Sequence, residues 1–181
     1  LWQLSTQIEH LAHGQSSGLD PACALNLDPI EFNQGQITPL GPATVPMTLI
    51  NTGQSLSTTK ACVAQTKTHF DRNPDLITQF QQVSAEIKQG LLSQDLTQIG
   101  QAITKNQQLL QTIDVVPNRV TAMIERLNQH HIPAKLCGAG SVEGQQAGVV
   151  WALTADPIEA IINSTQFDII PICQETLYHD Q

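Results

Sequence analysis

The chain has 181 residues, enough for one compact domain or one with an appendage at roughly 150 residues per domain. Hydrophobic residues make up 40% with a mean hydropathy of −0.11, and no apolar run approaches the ~18 residues of a membrane-spanning helix, which excludes helical membrane proteins. With 8 Lys plus Arg against 16 Asp plus Glu the net charge is −8, the wrong sign for neutralising phosphates along a nucleic acid.

From Leu1 to His13 the apolar residues Leu1, Leu4, Ile8 and Leu11 follow a helical period, and Gly14 offers a left-handed stop. Because this spacing runs from the first residue, the chain is expected to be a piece of something longer. A turn is expected over Gln15-Ser16-Ser17-Gly18. Two strand-like pieces follow, Leu25 to Phe32 and Gln36 to Leu40, with Asn33-Gln34-Gly35 as a glycine-containing hairpin loop. The apolar run Val45 to Ile50 reads as a buried strand, with Pro46 near its start where a missing N–H is tolerated.

Between Ser57 and His131 the pattern turns helical, divided into four segments at Asn73-Pro74, Ser93-Gln94-Asp95 and Val116-Pro117. The prolines suit first-turn positions. The second segment carries Leu76, Ile77, Phe80, Val83, Ile87 and Leu91, and the third Leu96, Ile99, Ile103, Leu109, Leu110 and Ile113, each as one apolar face. Ala134 to Cys137 and Gly148 to Leu153 read as strands, Pro157 to Asn163 as a helix and Phe167 to Cys173 as a last strand. This order predicts an α+β fold, a ferredoxin-like split βαβ core with an antiparallel sheet and a helical layer on one face.

Glutamine is the commonest residue and charged residues are only 13%, so the surface is polar but weakly charged. Cys23, Cys62, Cys137 and Cys173 lie far apart without CxxC spacing, which favours reduced core thiols over disulfides or zinc ligands.

Three segments have residues suited to chemistry. The first runs from Glu9 through His13-Gly14 and Ser17-Gly18 to Asp20. Glu9 and His13 share a helix face, and the two glycines let the backbone turn and deliver Asp20 beside the helix end. Two carboxylates so placed could flank a polyphosphate and its Mg²⁺; a solvated helix end followed by an N-cap aspartate is the alternative. Zinc is the weaker reading, since Glu9, His10 and His13 are not in H-E-x-x-H order. The second is Lys135-Leu136-Cys137-Gly138-Ala139-Gly140-Ser141, a small-residue turn leaving a strand, where backbone N–H groups can approach phosphate oxygens or simply reverse the chain. The third, Asn51-Thr52-Gly53 through Ser57-Thr58-Thr59-Lys60, is a glycine turn and hydroxyl-rich helix start, most of which N-capping accounts for.

Taken together and in this order, these segments resemble the GHMP small-molecule kinases, and within them the mevalonate kinase group. The resemblance also takes in Asn33-Gln34-Gly35-Gln36-Ile37, Asn106-Gln107-Gln108-Leu109-Leu110 and Phe167-Asp168, so it is colinear over nearly the whole chain. His-Gly-x-x-Ser-Gly-x-Asp is its most specific part. It implies ATP-dependent phosphorylation of mevalonate or a related small alcohol in the cytoplasm, with Mg²⁺ as cofactor. It assigns catalysis to Asp20 and Thr58, the metal to Glu9, and substrate or nucleotide binding to His13, Gly14, Ser17, Gly18, Gly138, Ala139 and Gly140. It makes residues 1–44 the tail end of the family's N-terminal kinase domain and 45–181 its C-terminal domain. The implied partners are mevalonate, ATP, the missing N-terminal half of the same protein and a second copy in a homodimer, with neither nucleic acid nor membrane. The phosphate-binding loop and catalytic lysine belong to that N-terminal half, so the chain alone is expected to be inactive.

Three departures carry weight. The family's third motif continues as glycines, whereas here Ser141-Val142-Glu143-Gly144-Gln145-Gln146 follows, bulkier and with a negative charge that would weaken anion binding. Pro21 also stands where asparagine usually follows the aspartate, and the Ser57 to Lys60 helix start holds one extra residue. The competing readings are a domain kept for binding or assembly, and a kinase or decarboxylase of phosphorylated mevalonate. The latter would need basic residues near the motifs, and few of the 8 Lys plus Arg lie there.

Overall fold

The computed structural model describes residues 4–7 and 17–171. Residues 4–7 are helical, within the first expected helix, and the rest of that helix lies outside the described residues. The chain continues through a short helix α1 (Leu19–Ala24), a hairpin of β1 (Ile30–Asn33) and β2 (Gln36–Pro39), and strand β3 (Thr48–Asn51). Helices α2 (Thr59–Arg72), α3 (Asp75–Ser93), α4 (Leu96–Thr112) and α5 (Asn118–Gln129) follow, then strands β4 (Ala134–Leu136) and β5 (Val149–Ala152). A short helix α6 (Glu159–Ile162) runs into a 3-10 turn (Asn163–Thr165) before strand β6 (Asp168–Ile170).

The helix breaks fall where the sequence puts them. Pro74 and Pro117 take the N-cap of α3 and α5, with φ of −59° and −60°, one position before the first-turn site expected. Gln94 ends α3 in the left-handed region, and the next residue, Asp95, caps α4 by accepting the Gln98 N–H at 3.0 Å.

Three local expectations need correction. Helix α1 occupies Leu19–Ala24, a stretch for which no element is expected, with Gly18 at its N-cap and Asp20 in its first turn. The strand expected from Leu25 shortens to Ile30–Asn33, because Leu25 and Leu27 are 46% and 92% exposed and have no sheet to join. In the hairpin, Asn33 pairs with Gln36, leaving a two-residue turn in which Gln34 and Gly35 have φ of 49° and 81°. Two positive φ values match the right-handed twist of the strands, so the turn is one residue shorter than expected.

The larger sheet has the order β4-β5-β3-β6, antiparallel throughout. Strands β3 and β4 flank β5, with four helices in the connection between them, which is the split βαβ arrangement of a ferredoxin-like core. The α+β reading therefore holds. Alternation sends Ile50, Ala134, Leu136, Val150 and Ala152 to one face, where they meet the i, i+3, i+4, i+7 stripe of α5 (Val120, Met123, Ile124, Leu127) and Ile158 and Ile162 around α6. A second core lies among α2, α3 and α4 around Cys62, Leu76, Val83 and Leu109, with Phe70 and Phe80 edge-to-face at 5.8 Å. At about 1.5–3 kcal/mol for each large side chain taken from water, the first cluster holds α5 and α6 on the sheet and the second holds α2, α3 and α4 together.

The hairpin pairs only with itself and is tied to α3 by the Lys88–Glu31 ion pair at 2.8 Å. Cys62 is buried, Cys137 half-buried and Cys23 exposed, all as free thiols. The expectation of core thiols thus holds for Cys62 and fails for Cys23. Among the described residues no helix is long and apolar enough to cross a membrane.

Candidate functional site

Sheet register puts two loops at the same end of the molecule. The last residue of β3, Asn51, pairs with the first of β5, Val149, while Leu136, the last of β4, pairs with Val150. The segment leaving β3 toward α2 and the segment joining β4 to β5 therefore emerge side by side. These are the hydroxyl-rich helix start and the Gly-Ala-Gly turn, about 85 residues apart in sequence.

Hydroxyl groups lock the two segments together. Buried Thr52 donates to the Gly148 carbonyl at 2.8 Å and accepts the Ala147 N–H at 3.0 Å. The Ser55 hydroxyl lies 3.1 Å from the carbonyls of Ser57 and Gly140 and accepts the Ser57 N–H. The Ser57 hydroxyl accepts the N–H groups of Val142 and Glu143, both at 3.0 Å, and lies 3.0 Å from the hydroxyl of buried Ser141. The Cys62 thiol donates to the Gly140 carbonyl at 3.6 Å, and burial pushes its pKa above the ordinary thiol value.

The turn itself has one constrained and one open glycine. Gly140 has φ of 77°, and a Cβ there would lie 2.2 Å from the Val115 carbonyl oxygen, which also accepts the Ser141 N–H at 2.9 Å. Only glycine fits this approach. Gly138 has φ of 76° with open space around it. Gly138 and Ala139 are exposed, and among the described residues their N–H groups meet no acceptor. Both residues also line a cleft of about 230 Å³ with Cys62, Val63, Phe70, Phe80 and Ile113. The arrangement offers two free amide donors above an apolar cleft, suited to an anionic group on a larger molecule.

The structure thus joins the Thr58 helix start to the Gly138-Ala139-Gly140 turn. Thr58 is the N-cap of α2, accepting the Ala61 N–H at 3.2 Å. It is the one hydroxyl of its segment that caps the helix; Thr52, Ser55 and Ser57 grip the opposite loop instead, which corrects the reading of them as caps. Their signal in the sequence is the density of small hydroxyls after a strand, which does not name the partner.

The first candidate segment is described only from Ser17 onward, so Glu9, His13 and Gly14 lie outside it. Ser17 accepts the Leu19 N–H at 3.3 Å, and Gly18 caps α1 with φ of 79°. Asp20 is exposed in the first turn of α1, and its carboxylate makes no hydrogen bond or ion pair to another described residue. No group of three His, Cys, Asp or Glu side chains able to hold a metal occurs among the described residues. A Mg²⁺ ion held largely by phosphate oxygens needs one or two carboxylates, and the free hard-oxygen donor at Asp20 suits that chemistry.

No protein-family model matches the chain. It is 27% identical over 148 residues to the mevalonate kinase of Pyrococcus horikoshii, a match that covers 76% of this chain and 44% of that protein. The fold is similar to the mevalonate kinase of Methanococcus jannaschii, with TM-score 0.78, 15% identity, and 93% of this chain and 54% of that one covered. It is also similar to Streptococcus pneumoniae phosphomevalonate kinase in complex with phosphomevalonate and AMPPNP, with TM-score 0.69, 16% identity, and 93% and 60% covered. The chain spans less than half the length of the curated relative it matches, and the likeness to the solved structures is a likeness of fold.

Proposed function

We propose that this GHMP kinase-like protein carries part of an ATP-dependent phosphotransferase acting on the hydroxyl of mevalonate. The observation that carries the reading is the interlock between the start of α2 and the Gly138-Ala139-Gly140 turn, which leaves the N–H groups of Gly138 and Ala139 exposed without acceptors. The sequence match to a mevalonate kinase supports it, as does a fold shared with kinases of mevalonate and phosphomevalonate. On this reading residues 1–44 close an N-terminal kinase domain and residues 45–181 form the C-terminal one.

Phosphoryl transfer asks a protein for alignment and charge compensation more than for covalent chemistry. The free amides at Gly138 and Ala139 would face phosphate oxygens, and the glycine at 140 lets the chain turn there without a side chain intruding. Asp20 would orient the acceptor hydroxyl and take its proton, a role open to an exposed carboxylate with no competing partner among the described residues. His13, Gly14, Ser17 and Gly18 would shape the acceptor side. Glu9 would hold Mg²⁺, which when bound neutralises charge on the phosphate oxygens.

The test is ADP release by the full-length protein with ATP, Mg²⁺ and mevalonate, beside phosphomevalonate, galactose and homoserine, and repeated with Asp20→Asn. Mevalonate-dependent release that falls by ~10²-fold or more in the variant is expected. Release driven by phosphomevalonate alone moves the substrate assignment, and no release with any acceptor overturns the reading in favour of a binding or assembly role.

A further inference from the structure

The hydroxyl of Ser57 has its hydrogen-bonding capacity filled from one direction. Ser141 lies 2.6 Å from the Glu143 carbonyl, which can only accept, so the single Ser141 proton goes there. The two hydroxyls are 3.0 Å apart, and the proton between them is therefore that of Ser57. With the N–H groups of Val142 and Glu143 on its oxygen, Ser57 makes one donated and two accepted bonds, all with residues 141–143. Two residues earlier, Ser55 reaches the Gly140 carbonyl at 3.1 Å and holds the Ser57 N–H. One short stretch beside the Thr58 cap thus grips the Gly-Ala-Gly turn at Gly140 and just beyond it. This is also where the sequence replaces small residues by Val142 and Glu143, and packing alone holds the stretch lightly: Glu143 to Gln146 are exposed and Val142 is half-buried against the second core.

We propose that Ser57 is a positioning residue for the anion-facing turn: its hydroxyl latches residues 141–143 to the start of α2 and so fixes where the free amides of Gly138 and Ala139 point. The ligand assignment rests on the phosphotransferase reading; the latch does not. Removing the hydroxyl leaves the Val142 N–H without an acceptor and the Glu143 N–H with only the longer contact to the Ser141 hydroxyl at 3.4 Å, so this surface loop rearranges while both cores stay intact. Loss of anion affinity without loss of the fold is the signature.

The experiment compares the full-length protein with Ser57→Ala and Ser57→Thr. The readouts are hydrogen exchange at the Val142 and Glu143 amides, binding of inorganic pyrophosphate, and KM for ATP against kcat. In Ser57→Ala, exchange at both amides should accelerate and pyrophosphate binding and KM should each worsen ~10-fold, the effect of losing about 1.4 kcal/mol of interaction. The kcat should stay within about threefold and the melting temperature within a few degrees, and Ser57→Thr should restore exchange protection and affinity. Unchanged exchange overturns the latch. Faster exchange with unaltered pyrophosphate binding and KM overturns the positioning role. A protein without ATP turnover rejects the phosphotransferase reading alone, since exchange and pyrophosphate binding still judge the proposal, and a wild-type protein that does not bind pyrophosphate overturns it.

Discussion

The side chain of Gln107, on α4, accepts the backbone N–H of Leu136 at 2.8 Å. Strand β4 is an edge of the sheet, and an edge strand normally presents unpaired N–H groups. Here a helix lies along the edge and one of its amides takes the place of a missing strand. Gln107 is only 2% exposed, and its own Nε2 finds no partner among the described residues, so the contact is held at some cost.

That relationship makes Gln107→Leu a sharp test. The variant fills similar space and removes the orphaned Nε2, but leaves the buried Leu136 N–H without an acceptor. The orphaned amide costs more than the lost donor returns, so a net destabilisation of about 1–2 kcal/mol is expected, read as a melting temperature lower by roughly 2–8 °C. A variant as stable as wild type would mean that the edge amide does not depend on Gln107.

Gly138 and Gly140 separate backbone strain from steric conflict. Both have positive φ, yet a Cβ at Gly138 meets nothing while one at Gly140 lies 2.2 Å from the Val115 carbonyl oxygen. Gly138→Ala should therefore cost only the left-handed penalty of about 1–2 kcal/mol. Gly140→Ala must in addition displace backbone and should cost about twice as much or more. Thermal unfolding of the two variants checks the order; equal losses would show that the backbone at Val115 yields freely.

Cys62 and Cys23 should differ in reactivity, and the burial of Cys62 should make stability depend on pH. Burial raises the Cys62 thiol above its ordinary pKa of 9.0, while Cys23 is exposed. In the native protein Cys62 should react with a disulfide reagent at pH 8 only through opening of the fold, ~10²-fold or more slower than Cys23. The sign for stability follows from proton binding: with a folded-state pKa above the unfolded one, the contribution is complete below the ordinary thiol pKa and is lost as pH rises through it. Urea unfolding of wild type against Cys62→Ser between pH 7 and pH 10 reads this, and the alkaline decline specific to Cys62 should vanish in the variant.

Much of the fold was legible because its boundaries are written in single residues. Pro74, Asp95 and Pro117 each forbid or cap a helix at a defined place, and the four-helix division follows. Helix α1 escaped because Leu19-Asp20-Pro21-Ala22-Cys23-Ala24 is too short for a helical period to show. Leu25 and Leu27 misled in the other direction, since apolar content says nothing of burial without a partner surface. At the site, Gly138 and Gly140 were legible because their conformation demands glycine. Thr52, Ser55 and Ser57 were not, because their partners lie about 85 to 96 residues away and a hydroxyl beside a helix looks locally like a cap.

Thr58 is where the two ways of reading this segment can be separated. The resemblance gives it a catalytic role, whereas its visible work is to cap α2 by accepting the Ala61 N–H. Thr58→Val keeps the shape and removes the acceptor, which for a cap costs about 1 kcal/mol of stability and leaves turnover within a few-fold. A hydroxyl that also touches the reacting groups would lose ~10²-fold or more in kcat at the same stability cost. Thr58→Ser retains an acceptor and should behave as wild type in both measurements if the oxygen alone matters. The two quantities are independent, so a stability loss with near-normal kcat assigns Thr58 to the helix, and a kcat loss beyond what the fold accounts for assigns it to the reaction.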